Sequence, residues 1–358
     1  MKCPHCETEL TYRQRGGRRC GSCKRAFALE PRTNPFKLHD LRLKQLDAKL
    51  SAGGSLAYSS EQLRYAAAGK ALASQRPPTV LGCAMILAIV AGIIASIVTE
   101  EILIGIVLAV VVVGLGLIVR ALFGNRIGYP QVPLDPARFE RDVLKRFHEV
   151  YLQMPPGLID TALRARINRR LPAAADLRGA IVCPEPAVRE CLLANGVQTT
   201  FGLAVLPAGG PFTPDEQAHL DVLRNRADLP LLLLHDASPS GCLLADQVAA
   251  ALGLPGDRRV LDLGLRPQTA IKRSLLVIGA KPDPQQIAML RRKAQLEAAE
   301  IAWLESGKIT PILAVPPARL VQLIKRATER IAARRPAITQ TNTPQQLAGA
   351  VGFMSWPE

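Results

Sequence analysis

The pattern of apolar and polar positions divides the chain into three stretches. Residues 80–98 and 102–119 are apolar runs of nineteen and eighteen residues without a charge, separated only by Thr99-Glu100-Glu101. A helix rises about 1.5 Å per residue, so each run gives about 27–29 Å, close to the hydrocarbon thickness of a bilayer. The pattern therefore predicts a transmembrane hairpin over 80–123, with helices at 80–98 and 102–123 and Arg120 snorkelling from the second. Ala84, Ala88, Gly92 and Ser96 form a small-residue stripe, and Gly105 and Ala109 repeat the spacing, which suits packing within the hairpin or a homo-oligomer through it. Neither run contains an ionisable residue, so the hairpin is expected to anchor rather than transport.

Beyond a linker with Pro130, Pro133 and Pro136, the period changes. Residues 136–171 read as helical, and apolar runs at 180–183, 198–206, 231–234 and 260–263 then alternate with amphipathic segments at 186–195, 214–226 and 241–252. Short continuous apolar strands separated by helices predict a parallel sheet covered on both faces. Thr213-Pro214-Asp215-Glu216 has the form of a capping box, and Gly196 and Gly253 fall where helices should end. Two further helices are expected at about 284–305 and 317–334, the second of them basic. Ahead of the apolar runs, residues 36–50 suggest a short amphipathic helix ended by Gly53-Gly54, and Ser59-Ser60-Glu61-Gln62 opens another that runs through Ser74.

Charge sharpens this division. Residues 1–79 hold 15 Lys and Arg against 6 Asp and Glu, residues 80–123 hold 1 against 2, and residues 124–358 hold 29 against 22, which together give +15. Arg76 precedes the runs and Arg120 and Arg126 follow them, so both termini are expected in the cytoplasm of a two-pass protein of a bacterial plasma (inner) membrane. The flanking basic residues fit cytoplasmic loops beside a lipid bilayer, and they also fit contact with nucleic acid. The two short helices before the hairpin can pack on the N-terminal unit or lie on anionic lipid.

Four of the eight cysteines form two close pairs, Cys3-Pro4-His5-Cys6 and Cys20-Gly21-Ser22-Cys23, with the Gly16-Gly17 segment between them. Each pair sets two thiolates on one turn, and two such turns folded together give tetrahedral sulfur ligation. This resembles a zinc ribbon, in which Cys3, Cys6, Cys20 and Cys23 hold a structural zinc with no open coordination position, while His5 is a spacer. A unit of this size buries too little to fold by itself, so the metal is expected to supply much of its stability. Cys83, Cys183, Cys191 and Cys242 are scattered and read as buried small hydrophobes in a reducing compartment.

The loop His235-Asp236-Ala237-Ser238-Pro239-Ser240-Gly241 follows one predicted strand and opens a helix, at the carboxyl edge of the sheet where open α/β folds bind ligands. Asp236 could hold a cation, and Ser238, Ser240 and the Gly241 helix start could hold a phosphate; all three polar residues are equally ordinary loop and capping residues. The order of strand, Glu185, helix, Gly196, strand, capped helix, strand and Asp236-x-Ser238-x-x-Gly241 resembles the toprim domain of topoisomerases and primases over residues 178–265. That resemblance implies a magnesium site with Glu185 and Asp236 as catalytic ligands. Ser238 stands where the family has a second aspartate, so the resemblance equally implies a degenerate member that keeps the fold as a platform.

The expected architecture is thus multidomain. It comprises a zinc ribbon at 1–30, juxtamembrane helices at 31–79, a transmembrane hairpin at 80–123, a linker with helices at 124–177, a toprim-like α/β cytoplasmic domain at 178–265 and a C-terminal helical region at 266–358. The preferred function is a membrane-anchored, non-enzymatic binding or scaffold module for nucleic acid or a cytoplasmic protein. The alternative is a magnesium-dependent phosphoryl-transfer enzyme acting on nucleic acid, which needs a further carboxylate such as Asp246 or Asp262.

Overall fold

The computed structural model describes residues 1–75, 90, 111, 114, 131–167, 176–255, 258–292 and 296–334. The N-terminal half is built from short, individually capped helices. Helix α1 (Asp40–Leu50) begins where His39 Nδ1 accepts the Arg42 amide at 3.3 Å. Helix α2 (Ser60–Gln75) begins on a reciprocal cap, in which the Ser59 hydroxyl accepts the Gln62 amide at 3.3 Å and Gln62 Oε1 accepts the Ser59 amide at 3.0 Å. Asp135 caps α3 (Pro136–Phe139), which passes through a π-wound turn at Glu140–Lys145 into α4 (Arg146–Tyr151). A separate helix, α5, spans Thr161–Ile167.

Phe36, Leu38, Leu43, Tyr58, Leu63, Phe139, Leu144 and Phe147 are buried together, so the first two helices and α3–α4 share one core. Phe36 meets Phe139 edge-on, with ring centroids 5.2 Å apart. The chain just before α2 is pinned by two amide bonds, Tyr58 N–H to Gly157 O at 2.9 Å and Ile159 N–H to Tyr58 O at 3.0 Å.

The second half is a parallel sheet of β1 (Gly179–Val182), β2 (Leu203–Leu206), β3 (Leu231–Leu233) and β4 (Val260–Asp262), in the order β2-β1-β3-β4. Helices α6 (Pro186–Ala194) and α7 (Val197–Phe201) connect β1 to β2, α8 (Pro214–Asn225) connects β2 to β3, and α9 (Pro239–Ala251) connects β3 to β4. Ile181, Leu203, Val205 and Leu232 point to one face, where Val188 and Leu192 of α6 cover them. Ala180, Val182, Ala204, Leu206, Leu231 and Leu233 point to the other face, under Leu220 and Leu223 of α8, Val248 of α9 and Leu252 at its C-terminal cap. Both faces are dry, which explains why the strands read as continuous apolar runs. The crossover from β1 to β2 uses one face and the return from β2 to β3 the other, so the path reverses between the carboxyl ends of β1 and β3.

The remaining elements wrap the first face. They are α10 (Pro267–Lys272), β5 (Ile278–Gly279), α11 (Pro284–Arg291), α12 (Ala298–Glu305), β6 (Lys308–Ile309) and α13 (Pro317–Arg334). β5 and β6 pair antiparallel. Leu304, Ile312, Leu320, Leu323 and Ile324 join the core around Ile181 and Leu232, so the C-terminal segment completes the α/β unit.

The fold corrects the expectation of a two-pass membrane protein. Among the described residues no helix is long and apolar enough to cross a membrane. The longest are α2 with 16 residues, which carries Glu61 and Arg64, and α13 with 18, on which Lys325, Arg326 and Arg330 are exposed. The expected hairpin at 80–98 and 102–123 lies outside the described residues apart from Val90, Val111 and Gly114. The transmembrane hairpin in the expected fold class, the membrane and transmembrane designation, and the plasma (inner) membrane location with both termini cytoplasmic are therefore not supported.

Two smaller expectations also change. The strand expected over 198–206 starts only at Leu203, because Gly196 (φ 66°) and Gly202 (φ 64°) set off α7 as a separate single turn. The helix expected over 284–305 is two helices, α11 and α12.

Candidate functional site

Two sites stand out, one at the N-terminus and one at the carboxyl edge of the sheet. At the first, the two cysteine pairs fold as near copies of one another. Cys3 N–H bonds Thr8 O at 3.0 Å and Glu7 N–H bonds Cys3 O at 3.1 Å; in the second copy Cys20 N–H bonds Arg25 O at 3.0 Å and Lys24 N–H bonds Cys20 O at 2.9 Å. Glu7 and Lys24 both take positive φ, 58° and 60°, closing each turn. One amide in each copy points at a sulfur, His5 N–H at Cys3 and Cys23 N–H at Cys20, both at 3.4 Å.

The four Sγ atoms all lie within 4.8 Å of one another, and the Cys3–Cys23 and Cys6–Cys20 separations are both 3.8 Å. A tetrahedron with metal–sulfur bonds of about 2.3 Å has edges of about 3.8 Å, whereas a disulfide needs about 2.05 Å. The four thiols fit a closed tetrahedral metal site. Hydrogen bonding to the Thr8 hydroxyl and amide lowers the Cys6 thiol to about 6, and the Cys23 and Ser22 amides lower Cys20. Burial raises Cys3 to about 11. His5 is not aimed at the sulfurs: its Nε2 lies 2.8 Å from Ala26 O, and its ring stacks on Tyr151 at 5.8 Å.

The ribbon is tied to the first core through Asp40, which is fully buried. Its carboxylate accepts the Ala28 and Leu29 amides, both at 2.8 Å, and the Tyr151 hydroxyl at 2.6 Å. Nothing in the sequence around Asp40 announces this role, because its partners come from both ends of the N-terminal half.

At the second site, Glu185 leaves β1 and Asp236 leaves β3, so the two flank the crevice where the chain path reverses. Both carboxyls are pushed above their usual range. For Glu185 the causes are burial and then the Asp236 charge; for Asp236 the cause is burial, opposed by the Ile312 amide. The Asp236 carboxylate is already occupied: Oδ1 accepts Ile312 N–H at 2.7 Å, and Ala237 pairs with Thr310 through amide bonds of 3.0 and 3.1 Å.

Ser238 caps α9 by accepting the Gly241 amide at 3.1 Å, and its hydroxyl lies 3.3 Å from that of Ser240. Gly241 has no room for a side chain, since a Cβ would stand 2.3 Å from Asp236 O. Asp246 is exposed on α9. Asp262 is buried and engaged by His235, whose Nε2 lies 3.0 Å from Asp262 Oδ1 while its Nδ1 lies 2.7 Å from Asp236 O. Among the described residues, the four cysteines are the single group of three or more metal-ligating side chains brought together.

The buried His235–Asp262 pair is the feature that sequence spacing missed. Its signal is legible only once β3 and β4 are known to be neighbours, with Leu233 opposite Asp262, which sets the two strand-end residues side by side.

The Asp236 environment yields a test. Asp236→Asn keeps an acceptor for Ile312 and removes the charge facing Glu185, so its urea midpoint at neutral pH should equal or exceed that of the parent. Asp236→Ala strands a buried amide and should cost about 1–3 kcal/mol. A carboxyl whose pKa is raised by folding contributes stability below its unfolded value, near 3.8, that is lost as pH rises. The parent should therefore weaken more than Asp236→Asn across the carboxylate range, and equal midpoints for the Ala and Asn variants would rule out the hydrogen bond as the role of Asp236.

No family model matches the chain, and no curated protein matches it.

Proposed function

We propose that this chain is a non-enzymatic binding or scaffold module, in which a zinc-loaded ribbon is joined to an α/β domain of toprim type that retains the architecture without the reaction. Zinc is the metal that fits four thiolates at a closed tetrahedral site, and its role is structural. Nucleic acid is the partner class favoured by a net charge of +15.

The observation that carries the reading is the occupied Asp236 carboxylate. A catalytic magnesium ion needs free anionic oxygens, and Asp236 spends one of its two on the Ile312 amide at 2.7 Å. The remaining residues of the loop support the same reading: Ser238 stands in place of a second carboxylate and is used as a helix cap, and Asp262 is paired with His235. Glu185 keeps its carboxylate beside Asp236, which is the observation in favour of a magnesium-dependent phosphoryl-transfer enzyme.

Calorimetric titration of the full-length chain with magnesium separates the two. The scaffold reading expects no saturable heat up to millimolar magnesium, for the parent and Asp236→Ala alike. Saturable binding that disappears in Asp236→Ala would replace the scaffold with the enzyme. A pull-down that recovers nucleic acid or a cytoplasmic protein then identifies the partner.

A further inference from the structure

We propose that the four-cysteine centre is a redox-sensitive modification site, at which a peroxide oxidises Cys6, a disulfide forms across the two turns and the zinc is released. The inference rests on the zinc reading of the ribbon. The four sulfurs are not equally open: Cys3 and Cys20 are 0% and 1% exposed, Cys23 is half-buried, and Cys6 reaches the surface. Among the described residues Cys6 is the one exposed cysteine, since Cys183 and Cys191 are buried and Cys242 is half-buried. A small oxidant reacts with the sulfur it can reach, so the chemistry begins at Cys6. The second thiol is already in place. Cys20 Sγ lies 3.8 Å from Cys6 Sγ, and the sulfurs of Cys3 and Cys23 lie within 4.8 Å of it.

The steps balance. The Cys6 thiolate takes one oxygen from hydrogen peroxide to give the sulfenic acid, and hydroxide leaves. The Cys20 thiolate then attacks that sulfur, forming the S–S bond and expelling the oxygen as a second hydroxide. Two electrons pass from the sulfurs to the peroxide. A dithiol reductant returns them by thiol–disulfide exchange and is itself oxidised to a disulfide. The two thiolates left in the oxidised chain, Cys3 and Cys23, cannot close a four-sulfur site, so the folding energy supplied by the metal is lost. The change leaves the ribbon by a short path. His5, next to Cys6 in the chain, stacks on Tyr151 with ring centroids 5.8 Å apart, and the Tyr151 hydroxyl bonds Asp40 at 2.6 Å. Oxidation is thereby coupled to the first core, and the reduced, zinc-loaded chain alone presents the ribbon as a folded binding face.

Titration of the full-length, zinc-loaded chain with hydrogen peroxide tests this. A chromophoric chelator reads zinc release, and mass mapping after thiol alkylation reads which cysteines have reacted. We expect zinc to leave in step with disulfide formation, the first disulfide to contain Cys6, and zinc to rebind after reduction with dithiothreitol. Cys6→His keeps four zinc ligands and removes the exposed thiolate, so its peroxide-driven release should be slowed about tenfold once zinc analysis confirms that it is loaded. If that variant does not load, the order of oxidation in the parent carries the test by itself. A parent that keeps its zinc through excess peroxide, or whose first oxidised cysteine is not Cys6, would overturn the switch and leave the zinc ribbon standing. So would Cys6 passing to the sulfinic acid with no disulfide and no recovery on reduction. A chain that binds no zinc at all would remove the ribbon reading, and the switch with it.

Discussion

Depriving the four cysteines of the proposed zinc, by chelation or by Cys20→Ser, is expected to unfold residues 1–27 and loosen the first core while the parallel sheet stays folded. The ribbon has almost no apolar interior of its own: Leu10 is buried with Cys3 and Cys20, and Cys23 packs against them. Burial on that scale cannot offset the conformational entropy of some twenty-five residues, which is on the order of 1–2 kcal/mol each. Apparent zinc-binding energies for comparable structural sites are about 10–16 kcal/mol, so the proposed zinc would be the largest single stabilising contribution to the ribbon. Damage should spread to the first core through the Ala28–Glu30 segment and Tyr151. Ala28 and Leu29 belong to that core and hang from Asp40, and Tyr151 meets both Asp40 and the His5 ring. The sheet is one step removed, because the cores on its two faces contain no ribbon residue and its ties to the first core run through Tyr65, Ile278 and the Ala57–Asn195 hydrogen bonds. Near-UV circular dichroism and limited trypsin digestion should show one released zinc per chain, early cleavage at Arg18, Arg19 and Arg25, and an intact fragment containing residues 176–334. An unchanged digestion pattern after complete metal removal would mean that the ribbon holds itself together.

The sheet was the most legible part of the fold, because strands buried on both faces must be apolar at every position, as Leu231–Leu233 are. The capping signals were legible too: the Thr213 and Glu216 box is present, and Ser59 and Gln62 open α2. These are local interactions within four residues, so the sequence states them directly. The strand expected from 198 failed for a related reason. Phe201 reads as continuous with the apolar Leu203–Leu206, but it ends a helical turn that the left-handed Gly202 separates from the strand. The uncharged apolar runs at 80–98 and 102–119 predicted a membrane hairpin, yet none of the described helices has membrane-spanning character.

The candidate sites divide in the same way. Four cysteines in two close pairs carry their geometry with them, and their sulfurs do meet. Glu185 and Asp236 were placed at the correct sheet edge because strand ends are local. What Asp236 does there was not legible, since its partner Ile312 lies 76 residues away. The same holds for Asp40 and Tyr151, 111 residues apart.

The largest effect expected within the α/β unit comes from Asp262. His235 is 1% exposed and Asp262 is 4% exposed, and the imidazole finds an acceptor at each nitrogen, the Asp236 carbonyl at 2.7 Å and the Asp262 carboxylate at 3.0 Å. An imidazole bonded to two acceptors needs two protons, so the histidine is held as a cation. Burial alone would lower its pKa; the hydrogen bond and charge of Asp262 outweigh burial and raise it. The ring is gripped from both sides, since a Cβ at Gly264 would fall 2.2 Å from it and one at Gly241 would fall 2.9 Å from its Nδ1. Asp262→Ala removes one half of a buried pair and should cost about 3–5 kcal/mol, lowering the melting temperature by on the order of 10 °C. Asp262→Asn keeps an acceptor and should lose less. The pH dependence identifies the cause. A histidine whose pKa is raised by folding contributes stability that is fully present below its unfolded value, near 6.5, and is lost as pH rises through the folded value. The parent should therefore lose stability over that window, and Asp262→Ala should not. A parent whose stability is flat above pH 6.5 would mean that His235 is neutral, and the Asp262 effect would then be one of packing alone.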